Sequence, residues 1–198
     1  MNKINIYGIS VSMFSVSVTL LIGASYAQSL NNSTNAQLSD SFVTYMNNYM
    51  KFSIQHPSNW KVLDFSKFYP EVSFKIPDRR EGLERFETRL EITTLPVETH
   101  LDTDTMTLKN TTLEQHFQQE VNAIQSDYDK KLIRQNKVTV VGETGRKVEY
   151  TKHYYYTFNI FTIANGNFYK LSYTDEQLKV PETLPLANKM VNSFRILK

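Results

Sequence analysis

The sequence contains no cysteine. That excludes disulfide staples, thiol catalysis, Cys-type zinc sites and thioether lipid anchors, because each needs a sulfur. Stability must therefore come from the core. Glycine is sparse, six in 198 residues. The Gly-rich patterns that cradle phosphates, G-x-x-x-x-G-K-S/T and G-x-G-x-x-G, are missing, so nucleotide binding has no support. There is no G-x-S-x-G elbow and no S-x-x-K pair on a suitable turn, which removes the usual signatures of an activated serine. Paired carboxylates of the glycosidase type stay open. An excess of one charge is also absent. With 22 basic and 20 acidic residues the chain carries +2, which provides neither a basic face for nucleic acid nor a strong pull toward anionic lipid.

What is present begins with an export pattern. Lys3 precedes an apolar stretch over residues 9–24, and Ser25 and Ala27 occupy the small −3 and −1 positions. Residues 1–27 therefore read as a signal peptide, with cleavage expected between Ala27 and Gln28 and an extracytoplasmic destination, secreted or at the cell surface. An uncleaved anchor over residues 4–24 is the alternative, since spanning takes roughly 20 residues; four serines and Asn5 in that segment weaken it. Residues 28–44, rich in Ser, Asn, Gln and Thr, bury too little apolar surface to offset the entropy of ordering and are expected to form a flexible tether. Sequons begin at Asn31, Asn32 and Asn110, a weak signal for glycosylation.

A globular domain is expected over residues 45–198, where aromatic and aliphatic residues return. Met50, Phe52 and Ile54 alternate, and Pro57 should end that strand because it has no N–H to donate. Val72, Phe74 and Ile76 alternate, as do Phe86, Leu90 and Ile92, with Glu87, Arg89 and Glu91 outward and a charged turn between the two runs. The period then changes. Leu113, Phe117, Val121, Ile124 and Tyr128 share a helical face. Thr111 and Glu114 form a capping box, and Lys130 and Lys131 suit the negative end of the helix dipole. Four strands follow, around Asn165-Gly166, a strong hairpin turn. A last helix carries Leu184, Ala187, Met190, Val191 and Phe194, with Pro185 in its first turn.

The opening "YMNNYMKFSIQHPSNWKV" and the closing "NGNFYKLSYTDEQL…ANKMVNSFRI" resemble the PsbP-like and Mog1-like superfamily over about residues 45–198. His56 stands where that family often has a Tyr before the proline. The resemblance implies an α+β fold, an antiparallel β-sheet flanked by helices in an α/β/α sandwich. It also implies a corner at Pro57 and Trp60, with the only tryptophan plugging sheet against helix rather than serving as a ligand platform. The best-known family member is an extrinsic subunit of photosystem II, Mog1 binds a nuclear small GTPase, and bacterial relatives include export chaperones and surface lipoproteins. Their common thread is binding and assembly, not catalysis. The leader favours a prokaryotic secreted member, an archaeal one among the alternatives.

Candidate sites are few. His100, Asp102 and Asp104 alternate in "HLDTD", and imidazole with carboxylates could hold a divalent metal; the spacing matches no established motif, and a solvated loop is the competing reading. His56, His116 and His153 read as structural. In "HYYYTFNIFTIA", Tyr154, Tyr156, Phe158 and Ile160 would face one side of a strand and Tyr155, Phe161 and Ile163 the other. Tyr154, Tyr156 and Phe158 are the candidate partner-binding residues, against the alternative that the strand is apolar on both faces because it lies inside a sandwich. The expected function is an exported, non-catalytic binding or assembly module. It has a protein partner, such as a membrane complex, and no cofactor, nucleotide or nucleic acid. The alternatives are an extracytoplasmic metal-binding protein and a carrier of a small lipid or glycan.

Overall fold

Alternation of apolar and polar residues becomes strand wherever one face of the chain must be buried. The computed structural model describes residues 41–77, 88–97 and 112–198, together with the backbone of 99–102 and 107–110. The leader, its cleavage point, the sequons at Asn31 and Asn32, and the charged turn after Pro77 lie outside the described residues. The elements run β1 (Phe42–Asn47), β2 (Phe52–Pro57), β3 (Lys61–Asp64), β4 (Glu71–Lys75), β5 (Arg89–Pro96), β6 (Thr99–Asp102) and β7 (Thr107–Asn110). Then come α1 (Leu113–Ser126), β8 (Lys130–Val140), β9 (Glu143–Lys152), β10 (Tyr155–Ala164), β11 (Asn167–Glu176), α2 (Val180–Ser193) and β12 (Arg195–Ile196).

Seven strands form one antiparallel sheet in the order β3-β4-β5-β11-β10-β9-β8, three form a smaller sheet β1-β2-β12, and β6 pairs with β7. The central hairpin β10–β11 keeps full register from Tyr155↔Glu176 to Ala164↔Asn167. It turns on Asn165 and Gly166, whose φ values of 49° and 72° are the positive angles such a turn requires. One face of the large sheet presents Leu90, Ile92, Phe158, Ile160, Leu171 and Tyr173 to Ala187 and Met190 of α2, to Phe194 just beyond it, and to Phe52 and Ile54 of the small sheet. The other face presents Val148, Phe161 and Phe168 to Phe117, Val121 and Ile124 of α1. The expected α+β sandwich is therefore the observed architecture, with one helix to each face. Trp60 is buried in the first of these clusters, and its backbone N–H donates to the Pro57 carbonyl at 2.9 Å. The corner holds the ring as core.

Four local expectations are corrected. The tether was expected to reach residue 44, but β1 begins at Phe42 and pairs with β2 from Phe42↔Pro57. Phe42 and Tyr45 pack against the core, and the Lys189 ammonium lies 3.9 Å from the Phe42 ring centroid. The capping box sits one residue later: the Thr112 hydroxyl accepts from the Gln115 N–H, and the Thr112 N–H donates to Gln115 Oε1 at 2.7 Å. That frame keeps Glu114 in the first turn, where its charge suits the positive helix end. Lys130 and Lys131 belong to β8, and Tyr128 is exposed beyond the helix, because Asp127 ends α1. Pro185 lies inside α2, whose first turn holds Pro181. The helix starts early enough for Thr183 to reach Asp175, and Pro185 forgoes only the bond to the Pro181 carbonyl.

His56 gives the fold a pH dependence. Its ring packs 5.2 Å from that of Phe74 and its Nδ1 lies 2.9 Å from the Pro57 carbonyl. Burial pushes its pKa below the ordinary value of 6.5, and the Pro57 contact offsets this only in part. The unfolded chain then binds the proton more readily than the native one. The stability from a neutral His56 is fully present above pH 6.5 and is lost as pH falls through the lower folded value. Melting temperature is expected to hold between pH 7 and 8 and to fall by roughly pH 5. The variant His56→Phe should flatten this limb; an unchanged limb would assign it to carboxylates instead.

Candidate functional site

The three aromatic residues singled out in β10 and its preceding turn part company in the fold. Phe158 is fully buried, stacked 5.1 Å from the Tyr173 ring. Tyr156 is half-buried, and its hydroxyl donates to Glu149 Oε2 at 3.0 Å. Glu149 Oε1 also accepts from Arg134 at 2.8 Å and Lys147 at 2.9 Å. Burial pushes the Glu149 carboxyl up, but the hydrogen bonds from Lys147 and Arg134 and the charge of Lys147 outweigh it and hold the group below its usual range. Burial and the Glu149 charge raise the Tyr156 hydroxyl well above its ordinary value. Tyr156 is thus a fixed member of a buried-edge network, and Phe158 is out of a partner's reach. Only Tyr154 stands clear, 82% exposed.

Tyr154 belongs to a built feature. It sits in the turn between β9 and β10, where His153 takes a φ of 51°. Gln177 clamps that turn: its N–H donates to the Tyr154 carbonyl at 2.8 Å and its side-chain amide to the His153 carbonyl at 3.0 Å. The His153 imidazole lies 3.6 Å from the Asp129 carboxylate. Asp127 holds Lys130 and Lys152 at 3.3 Å each. Its carboxyl lies below the usual range, chiefly because it accepts the Asp129 N–H. On this frame Tyr154, Tyr155, His153, Glu176, Gln177 and Leu178 line an open cleft of about 580 Å³. Leu178 is 92% exposed. Two hydrogen-bonded connections that hold a large ring and a large aliphatic group in water, rimmed by an acid, an amide and an imidazole, are suited to docking.

The metal candidates lie on the β6–β7 hairpin. His100 and Asp102 belong to β6, paired in register with Lys109 and Thr107 of β7, and Asp104 lies outside the described residues. His116 packs against Phe168 at 4.2 Å and His56 against Phe74. Leu178 escaped the sequence reading because it sits in polar "TDEQLK", where no periodicity marks it. An isolated large aliphatic residue between a strand and a helix was the available signal.

No family model and no curated protein matches the sequence. Solved structures do. The solution structure of cyanobacterial PsbP from Synechocystis is 17% identical, with a TM-score of 0.53 over 79% of this chain and 92% of that one. The chain has a PsbP-like fold. LpqN of Mycobacterium tuberculosis, described as involved in cell envelope biogenesis, matches the same PsbP-like architecture with a TM-score of 0.53 at 10% identity, over 80% of this chain and 87% of that one. Among the described residues, no helix of this PsbP-like chain is long and apolar enough to cross a membrane.

Proposed function

We propose that this protein is an exported, non-catalytic binding module that docks on a protein of a membrane-bound or cell-surface complex through the Tyr154–Leu178 cleft. The observation that carries the reading is the exposure of these two large side chains, Tyr154 on the β9–β10 turn and Leu178 beside the Gln177 that clamps it. The leader pattern in residues 1–27 supports an extracytoplasmic placement. The likeness to PsbP and to an envelope-biogenesis protein is in keeping with it. Tyr is enriched among the few residues that carry most of the energy at a protein interface, where truncating one costs about 2 kcal/mol or more, and Leu178 adds apolar area beside it.

The test is capture of partners from the source cells' membrane fraction by the full chain after mild cross-linking. The double variant Tyr154→Ser/Leu178→Ser is expected to lower recovery of the specific partner at least tenfold, with an unchanged melting temperature. Equal recovery by the folded variant and the wild type would sink this assignment of the surface.

A further inference from the structure

A second site is built at the other end of β11, about 30 Å away along ten strand residues. Two turns form it. In the first, after β1, Asn47 Oδ1 accepts from the Met50 N–H at 2.7 Å. In the second, between β3 and β4, Asp64 Oδ1 accepts from the Ser66 N–H at 2.8 Å, and the Phe68 and Tyr69 N–H groups both bond the Phe65 carbonyl at 2.8 Å. The buried Asn47 amide donates to the Ser66 hydroxyl at 3.0 Å and ties the two turns together. Tyr45 donates to Asp64 Oδ2 at 2.6 Å beneath them, and burial together with that carboxylate pushes its hydroxyl up to about 12. The Thr94 N–H fastens the Pro70 carbonyl to β5 at 3.0 Å. On this fixed base three rings stand in water: Tyr49 at 73%, Phe68 at 85% and Tyr69 at 68% exposure.

The rings border a cleft of about 390 Å³ that also takes in Thr94, Pro96 and Asn167. Thr94 is 7% exposed, and its hydroxyl is buried without a hydrogen-bond partner. Buried hydroxyls are nearly always paired, so an unpaired one beside a cleft calls for a ligand group. The Asn167 amide nitrogen already donates to the Asn165 carbonyl at 3.2 Å, which leaves its oxygen to accept. A ligand that fits must bring hydrogen-bond donors for Asn167 and Thr94 and a flat apolar face for the rings.

We propose that this cleft binds a neutral saccharide. A pyranose offers C–H faces to aromatic rings, whose faces carry partial negative charge. Its hydroxyls donate and accept at once, as Thr94 and Asn167 require. Tight anion sites gather several charged or bidentate donors, and this cleft has the single cation Lys67 among the described residues. An acyl chain wants an enclosed apolar cavity, and this cleft is open with hydroxyl and amide groups in its wall. A proline-rich strand also stacks on aromatic grooves, but its prolines carry no N–H, so it brings fewer donors to the Asn167 oxygen than the hydroxyls of a saccharide do.

The experiment uses the full chain on an array of neutral hexose and N-acetylhexosamine oligosaccharides, followed by calorimetric titration of the best binder. Binding with a Kd below about 1 mM is expected. The variant Phe68→Ala/Tyr69→Ala should weaken it at least tenfold, and Thr94→Val, which keeps the shape and removes the hydroxyl, should do the same without lowering the melting temperature. Tyr154→Ser/Leu178→Ser should leave it unchanged, which separates this site from the docking cleft. The proposal is overturned by folded protein that binds none of the array or by affinity indifferent to Thr94→Val. A proline-rich decapeptide that binds through the same rings where saccharides do not would overturn it too.

Discussion

Asp175→Ala is expected to lower the stability of the fold by about 3–5 kcal/mol, a fall in Tm of roughly 10 °C for a domain of this size. The Asp175 carboxylate is 1% exposed at the end of β11. It accepts from the Thr88 hydroxyl at 2.7 Å, from the Tyr173 hydroxyl at 3.1 Å, from Thr183 in the first turn of α2, and from the Glu176 N–H at 2.8 Å. One side chain thus joins the start of β5, the end of β11 and the helix that covers the sheet. Removing it takes the acceptor from the Thr88 hydroxyl where water does not reach and leaves Tyr173 and Thr183 only each other and the Lys179 carbonyl, and each unpaired donor carries its own desolvation cost. Asp175→Asn keeps one acceptor and should lose less. Thr183→Val should destabilise the wild type clearly and the Asp175→Ala chain hardly at all, because the two share a partner. Denaturant titration of the four chains measures the coupling. A midpoint for Asp175→Ala close to wild type would mean that apolar packing alone docks α2.

Asp175 also marks where sequence reading stops. Its neighbours Leu171 and Tyr173 alternate inward, so the period is legible, but the same period places an acid in the core at 175. Only the hydroxyls of Thr88 and Thr183, distant in sequence, explain why that is tolerated. The strands with a legible apolar pattern, β2, β4 and β5 on one face and β10 and β11 on both, and the Asn165-Gly166 turn followed from residue order alone, as did the inner face of α1. β1 did not, because Val43, Thr44 and Met46 face water and the strand reads as an extension of a polar stretch. The capping box was legible as chemistry but not in frame, since "TTLEQ" offers the Thr-x-x-Glu and Thr-x-x-Gln readings equally. The cleft beside Tyr154 and Leu178 was half legible. An aromatic run announced it, but a strand's period shows which residues share a face and not what covers that face. Tyr156 is held by Glu149 on the neighbouring strand, and Leu178, Phe68 and Tyr69 lie in turns, where no period exists to be read.

The same point makes the second large prediction. Phe158→Ala is expected to cost about 3–5 kcal/mol, while Tyr154→Ser, four residues earlier, should stay within about 0.5 kcal/mol of wild type. Phe158 is fully buried, stacked on Tyr173, with the Lys147 ammonium 4.5 Å from its ring centroid. Truncation would open a cavity beside Lys147 and remove the ring on which that cation rests, so a transfer loss and a lost cation–π contact add to the cavity term. Tyr154 leaves no cavity. The two substitutions should therefore separate stability from binding. At temperatures below its lowered melting point, Phe158→Ala should capture partner as well per folded molecule as wild type, and Tyr154→Ser should melt as wild type and capture less. Urea midpoints and cross-linked yields, measured on the same preparations, decide it. An unmoved midpoint for Phe158→Ala, with capture lost, would put that ring at the surface and restore Tyr154, Tyr156 and Phe158 as one continuous docking face.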